Sequence, residues 1–206
     1  MNDDKTKKSN KAEEIPKEFL ALCPLDGRYA GIGRELSPYF SEYALMKNRV
    51  KVEIYWLKFL LKNIKGVDIL ERFDMSNLPK IMSIYTDFSA NSIKRIKEIE
   101  KKTNHDVKAV EYFVDEQLKK LGYESLTSFV HIGCTSEDIN NTSYANMIKE
   151  GLENVWIPAA KELIDKLSSM AIRYDDVPML GHTHGQPATP TTVGKELIVY
   201  AYRLEE

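Results

Sequence analysis

Apolar residues recur at helical spacing along most of the chain, and this periodicity constrains the fold more than any other feature. One example is the run Leu57, Leu60, Leu61 and Ile64, which occupies positions i, i+3, i+4 and i+7. That spacing places the apolar side chains on one face of an α-helix. Helix breakers are scarce, since Gly contributes 10 and Pro 8 of the 206 residues. The sequence therefore predicts an all-α fold with roughly 70% helix, about twice the usual share.

Three helices are predicted in the first part of the chain. Ser37 is the expected N-cap of the first, with Pro38 at its first position. The second is expected to start at Asn77 and to run through Ile99. Asp106 is the expected cap of the third.

The sequence becomes more polar after Gly133. Thr135 and Asp138 have the spacing of a capping box, which predicts the start of another helix. Apolar residues then follow a heptad pattern from Trp156 to Tyr174. Such a seam is typical of a helix that packs along a partner helix.

The last part of the chain is predicted to contain a loop at residues 179–190. Only residues 176–181 have a weak strand pattern. Thr189 and Pro190 are expected to start a last helix, which reaches Glu206 without a cap or a glycine. We therefore expect these 206 residues to be a piece of a larger protein.

These changes in character predict three regions. Residues 1–18 are charged and poor in apolar residues, which predicts a disordered tail. Residues 19–133 are expected to form a smaller N-terminal helical domain. Residues 134–206 are expected to be the truncated start of a long-helix bundle.

Composition argues against several classes of protein. The 29 basic and 31 acidic side chains give a net charge of −2, without the basic excess of a nucleic-acid-binding domain. Two cysteines, Cys23 and Cys134, are too few for a disulfide framework. No secretory signal and no apolar run of about 18–20 residues is visible. The expected protein is soluble and cytoplasmic, and binds neither nucleic acid nor membrane.

Histidine suits proton transfer near neutral pH, because its ordinary pKa is about 6.5. His184 lies in the segment Thr183–Gln186, where a glycine allows close approach to a substrate. The alternative interpretation is a histidine on a surface loop. A zinc site of His182 and His184 with His131 and Cys134 would lack the usual ligand spacing, so no metal site is predicted.

Polar breaks at helix ends carry donors suited to anions. Asn104, His105 and Asp106 stand where a helix begins, and exposed backbone amides at such a start attract anions. Thr135 and Ser136 occupy a similar position. In both segments simple helix capping is the alternative.

A turn near the N-terminus supplies a further candidate for anion binding. Asp-Gly-Arg-Tyr predicts a turn that projects the side chains of Arg28 and Tyr29, and a guanidinium pairs with phosphate or carboxylate through two hydrogen bonds. If the helix ends come together, within one chain or across an oligomer interface, these breaks form an anion-binding site with one proton donor.

Taken together, the breaks resemble the adenylosuccinate lyase family, within the superfamily of fumarate-eliminating lyases. The matching segments follow in order from Leu22: DGRY with SPYFSEYALMKNRVKVEIYWL, then TNHDVKAVEYF, HIGCTSEDINNTSYA and THGQPATPTTVGKE. DGRY followed by NHDVKAVE points to the adenylosuccinate branch. His182 departs from the pattern, since the family often has Arg before the Thr-His pair.

The resemblance implies an elimination without a cofactor. Such enzymes cleave the C–N bond of adenylosuccinate to give AMP and fumarate, and many also cleave SAICAR. A serine on a mobile loop removes the β-proton, and a histidine protonates the leaving nitrogen. By motif match this histidine is His184, supported by Thr183. The loop with the serine is expected beyond Glu206, so the 206 residues are expected to be inactive alone.

The resemblance also implies substrate-binding residues. Arg28 and Tyr29 match residues near the nucleotide phosphate. Thr135 and Ser136 match residues that bind the succinyl carboxylate. The remaining matches are the substrate-binding segment Asn104, His105 and Asp106, and the weaker match Gln186.

The family is homotetrameric, with active sites shared by three subunits, which would give the seam from Trp156 to Tyr174 its partner helices. Two alternatives stay open. One is another fumarate-eliminating lyase of the argininosuccinate lyase, aspartase or class II fumarase type. The other is a non-catalytic helical assembly module.

Overall fold

The computed structural model describes residue 26 and residues 29–206, and this part of the chain is predominantly helical. The all-α prediction is confirmed. The predicted tail at 1–18, Cys23 and Arg28 lie outside the described residues. The elements are α1 (Ser37–Phe40), α2 (Glu42–Asn63), α3 (Asp68–Glu71), α4 (Leu78–Thr86), α5 (Ala90–Thr103), α6 (Asp106–Lys120), α7 (Ser136–Gly151), α8 (Ile157–Arg173), β1 (Pro178–Thr183), β2 (Gln186–Thr192) and α9 (Val193–Glu205).

The boundary between two compact units falls between Lys149 and Glu150. In the first unit the core forms around α2, whose apolar side chains pack with those of α4, α5 and α6. The largest fully buried apolar side chains of these elements and of the segment after α6 are Val50, Ile54, Leu57, Ile81, Ile93, Ile96, Val107, Val110, Leu118 and Leu126. The first unit also includes most of α7, where Ile139 is buried. The domain boundary expected after residue 133 stays a prediction.

Serine residues divide two of the predicted helices. The helix expected from Ser37 stops at Ser41, whose extended backbone begins a new helix and whose hydroxyl accepts a hydrogen bond from the Ala44 N–H at 3.2 Å. The helix expected to run from Asn77 through Ile99 is likewise two helices, α4 and α5. A capping box of Ser89 and Ser92 starts the second. A serine side chain that satisfies the first free N–H groups makes such a restart favourable.

The second unit contains an antiparallel hairpin where the sequence predicts a loop and the start of a helix. Thr189 and Pro190 lie in β2, so the predicted start of the last helix is wrong. Helix α9 begins at Val193, and the Thr192 side chain accepts from the Lys195 N–H at 3.1 Å. Both strands of this two-stranded sheet are edge strands. Proline is tolerated in an edge strand, because its missing N–H can lie on the side that has no partner strand to bond.

The second unit exposes large apolar side chains of the predicted seam. A π-helical turn, Leu152–Trp156, precedes α8. Trp156 is 61% and Leu163 50% exposed.

Within the described part of the chain, none of the helices has the length and apolar content needed to cross a membrane.

Candidate active site

The segment Asn104–Asp106 forms a tight corner between α5 and α6. Asn104 ends α5 in the left-handed region (φ 50°), and His105 is the N-cap of α6 with an extended backbone. The expected cap, Asp106, is instead the first residue of the helix. The Lys108 N–H donates to His105 Nδ1 at 3.2 Å. Because Nδ1 accepts, a neutral His105 carries its proton on Nε2, where it is a donor.

A buried arginine joins this corner to α7. The Arg49 side chain is 4% exposed, and its Nη2 lies 2.7 Å from Asp106 Oδ2. Its Nε donates to Asn140 Oδ1 at 2.9 Å. Burial alone would raise the pKa of Asp106, but the Arg49 charge and the Val107 N–H outweigh burial and lower it. Asp106 is therefore ionised at neutral pH and serves as an anchor for Arg49.

The start of α7 has the predicted pairing of Thr135 with Asp138. The Thr135 N–H and hydroxyl both donate to Asp138 Oδ2, at 2.7 and 3.0 Å. These hydrogen bonds lower the pKa of Asp138. Ser136 is the first residue of the helix. A substrate carboxylate that binds Thr135 would take the place of Asp138 as acceptor.

The turn that leads into α7 is anchored on α2. His131 has a left-handed backbone (φ 61°), and its Nδ1 lies 2.6 Å from Oε1 of the fully buried Glu53. Trp56 Nε1 donates to the Ile132 carbonyl at 2.8 Å. Both anchors come from one face of α2, so this helix fixes the turn that precedes Thr135.

Carboxylates surround the His131 ring. Burial raises the pKa of Glu53, while the hydrogen bond from His131 and its charge oppose the rise. Glu111 Oε1 lies 3.7 Å from His131 Nε2, and Lys108 pairs with Glu111 at 2.6 Å.

Burial raises the pKa of the Cys134 thiol, and the nearby charges of Glu53 and Asp138 raise it further. This thiol is therefore protonated near neutral pH and a poor nucleophile.

A groove of about 720 Å³ in the first unit lies beside this turn. Trp56 and Phe59 line it as a stacked pair, with ring centroids 5.3 Å apart. Asp138 and Thr142 add polar groups from α7. Apolar walls with a few polar groups are common in small-molecule sites.

The hairpin in the second unit carries the other candidates. Two residues join its strands, His184 (φ 51°) and Gly185 (φ 74°), and Thr183 pairs with Gln186 next to them. Positive φ at both central residues is the geometry of a type I′ turn, which suits the twist of paired strands. The turn places His184 at the tip, where its side chain is exposed.

The candidates therefore form two groups. The first unit holds Tyr29, Asn104, His105, Asp106, Thr135 and Ser136, and the second holds Thr183, His184 and Gln186. Arg28 lies outside the described residues. Within the first unit Arg49 links Asp106 to α7, and the hairpin turn gathers the second group. Their roles stay predictions.

Sequence reasoning missed the buried charges of α2. Arg49 and Glu53 stand one helical turn apart on the face that also buries Val50 and Ile54. Two charged residues in an apolar stripe are a signal, because a buried charge needs a partner. The pattern did not say which residues those partners are.

Comparison with known proteins identifies the family. A sequence model of a family described as "Lyase" matches residues 27–206. The chain belongs to this lyase family. The adenylosuccinate lyase of Dictyostelium discoideum is 48% identical to it over 192 residues, covering 91% of this chain and 41% of that protein. The adenylosuccinate lyase of Escherichia coli (strain K12) is 44% identical over 188 residues, with the same coverage.

The resemblance to adenylosuccinate lyase predicted from the motifs is thus confirmed, and this lyase chain spans about two fifths of the length of the curated relatives it matches. A fumarate lyase from Mesorhizobium sp. BNC1 superposes with a TM-score of 0.64 at 20% identity, covering 83% of this chain and 39% of that one. The β-carboxy-cis,cis-muconate cycloisomerase of Acinetobacter calcoaceticus sp. ADP1 gives 0.62 at 19%, covering 84% and 38%. At these identities the likeness concerns the fold.

Proposed function

We propose that this chain is part of an adenylosuccinate lyase, which eliminates fumarate from adenylosuccinate to give AMP and cleaves SAICAR in the same way to give AICAR. The observation that carries the proposal is the identity of 44–48% to adenylosuccinate lyases over about nine tenths of the chain. The reaction belongs to purine nucleotide biosynthesis.

The first unit supplies the donors that a substrate with one phosphate and two carboxylates requires. Arg28 and Tyr29 hold the phosphate, and Thr135 and Ser136 hold the succinyl carboxylate. His105 contacts the substrate through Nε2, since its Nδ1 is occupied by the helix. The His105 ring is already held by the start of α6, and a donor fixed before the substrate arrives needs little reorganisation to bind it.

His184 acts as the general acid. A base removes the β-proton of the succinyl group, and the electron pair forms an aci-carboxylate. The C–N bond then breaks, its electron pair goes to nitrogen, and His184 delivers a proton to that nitrogen. Thr183 supports His184, and Gln186 contacts the substrate from the paired strand. The elimination uses no cofactor and no metal.

The enzyme is a cytoplasmic homotetramer whose active sites are shared between subunits. The exposed Trp156 and Leu163 support this assembly, because an apolar seam of this kind is usually covered. The proposed partners are therefore further copies of this chain and small-molecule substrates, without nucleic acid or membrane.

The test is fumarate release by the full-length protein. The protein is incubated separately with adenylosuccinate, SAICAR, argininosuccinate, aspartate and malate, and fumarate and the second product are quantified. We expect fumarate and AMP in equal amounts from adenylosuccinate, AICAR from SAICAR, and no turnover of the other three substrates.

Other outcomes assign a different function. Turnover of argininosuccinate, aspartate or malate in place of adenylosuccinate assigns the protein to another branch of the superfamily. A folded, tetrameric protein that releases no product from any substrate is a non-catalytic assembly module.

A further inference from the structure

Arg49 uses all three nitrogens of its guanidinium inside the first unit. Nη2 pairs with Asp106 at 2.7 Å and Nε donates to Asn140 at 2.9 Å, while Nη1 faces Met46 Sδ at 3.8 Å. The side chain is 4% exposed. Two nitrogens of one planar guanidinium therefore bind residues on two different helices, α6 and α7.

Both partners of Arg49 lie next to residues of the proposed site. Asp106 directly follows His105 at the start of α6. Asn140 stands four residues after Ser136, which places it one turn below Ser136 on the same face of α7. The guanidinium thus spans the two helix starts that present His105 and Ser136.

An arginine at this point is not needed to fill the core. Burying a charge requires removing its water, and apolar residues of similar volume often serve a core equally well. Val50 and Ile54 on the same face show what the core of α2 otherwise uses. A rigid fork with two directed bonds does what apolar packing cannot, because it fixes the distance between its two acceptors.

We propose that Arg49 is a positioning residue of the site. It sets the spacing of the corner at His105 relative to the start of α7 at Ser136, so that one substrate reaches both. This inference rests on the proposed function for its kinetic consequence, but the spacing itself is a property of the unliganded protein.

The test compares Arg49→Lys with Arg95→Lys in the full-length enzyme. Lysine keeps the charge but cannot hold Asp106 and Asn140 with one fixed fork. Arg95 is a matched control, since its Nε and Nη2 bind Glu116 and so join α5 to α6 away from the site. Displaced helix starts should weaken about one charged hydrogen bond to the substrate, which corresponds to about tenfold, so we expect the KM for adenylosuccinate to rise about tenfold in Arg49→Lys. We expect kcat to stay within about threefold, and KM in Arg95→Lys to stay within about twofold, as for surface substitutions.

A second variant and a second measurement cover failures of folding or of activity. If Arg49→Lys does not fold, Asn140→Ala replaces it, because this change leaves the pair of Arg49 and Asp106 intact. The bond it removes has a charged donor, so its KM is also expected to rise about tenfold. Amide hydrogen exchange in the unliganded protein reports the helix starts directly. Faster exchange at residues 107–109 and 138–141 in Arg49→Lys, and not in Arg95→Lys, is the expected result.

Three results overturn the proposal: unchanged KM in a folded Arg49→Lys or Asn140→Ala, an equal rise in Arg95→Lys, or unchanged exchange at both helix starts. A wild-type protein without lyase activity contradicts the proposed function, and the exchange measurement then decides the role of Arg49 on its own.

Discussion

The two groups of candidate residues are held in place by different means. In the first unit, buried charged side chains anchor the segments: Arg49 binds Asp106 and Asn140, and Glu53 binds His131. At the hairpin tip a two-residue turn with positive φ sets the backbone position of His184.

This difference matches the two proposed tasks. Anion-binding donors gain from an arrangement fixed by side chains, because every shift of a donor weakens several contacts at once. A type I′ turn fixes the direction of the His184 Cα–Cβ bond and leaves the ring its own rotation. The comparison therefore predicts that changes in the first unit weaken binding, whereas changes at the tip reduce turnover.

The largest expected effect is on turnover in His184→Gln. Glutamine keeps a hydrogen-bonding side chain but cannot transfer a proton, and loss of a general acid typically reduces the rate by about 10²–10⁴-fold. Steady-state kinetics of the full-length enzyme measure this. His182→Gln, two residues earlier and within β1, is the control and should keep its turnover. More than about a tenth of wild-type turnover in His184→Gln, against that expectation, removes it from the role of acid.

Arg28→Lys should weaken AMP binding next most. The change keeps the charge and loses the two-bond fork. A charged hydrogen bond is worth roughly 1.5–3 kcal/mol, so the Kd for AMP should rise about ten- to a hundredfold. Calorimetric titration measures it, with Arg34→Lys, at an exposed position of the 3₁₀ helix Gly33–Leu36, as the control. An unchanged Kd in Arg28→Lys contradicts the phosphate assignment.

Gly185→Ala tests whether the backbone sets the hairpin tip. The residue has φ 74° and open space around its Cα, so the added methyl acts through backbone conformation alone. We expect the unfolding free energy to fall by about 1 kcal/mol, the usual cost of a left-handed residue with a Cβ. Gly31→Ala, in equally open space without positive φ, should show no such loss in denaturant titrations. Equal losses in both variants contradict a role of the turn.

The smallest expected effect is on the pH dependence of the unfolding free energy, which a half-buried carboxyl group in the first unit, Asp115, influences. Burial raises the pKa of Asp115 to about 6 from its ordinary 3.8. The pKa of Asp115 is higher in the folded than in the unfolded chain, so folding favours the protonated carboxyl group. The contribution of Asp115 to the unfolding free energy is therefore complete below its ordinary pKa of 3.8 and is lost as the pH rises through about 6. Asp115→Asn cannot ionise, so its unfolding free energy relative to wild type should improve by about 1 kcal/mol between acidic and alkaline pH, after allowance for solvent.

Denaturant titrations near pH 4 and near pH 8 measure this change. Asp87→Asn, at an exposed position, is the control. The pH dependence attributed to Asp115 is contradicted when both variants follow the wild-type curve at each pH.

Periodicity predicted the helical segments of the first unit, because their apolar stripes face one core. It merged α4 with α5, since Ile84, Phe88 and Ile93 continue an apolar pattern across the break at Ser89. The hairpin was missed for another reason. Residues 178–192 are rich in Thr, Pro and Gly and largely exposed, so no alternation of apolar and polar residues marks the strands.

Local sequence supplied most of the candidate residues and motif resemblance supplied their roles, but neither identified their anchors. Local sequence shows that His105 and Thr135 stand at helix starts. It cannot show that Arg49 reaches Asn140, since that contact joins residues 91 positions apart. Such partners are set by tertiary packing.

The most direct test of the division between binding and chemistry is a titration of AMP into His105→Gln and His184→Gln of the full-length enzyme. We expect the Kd for AMP to rise about tenfold in His105→Gln, as for a lost hydrogen bond of about 1.5 kcal/mol. In His184→Gln the Kd should stay within about threefold of wild type, because loss of an interaction made only in the transition state leaves ground-state binding unchanged. Equal weakening in both variants, or weakening in His184→Gln alone, would contradict this division.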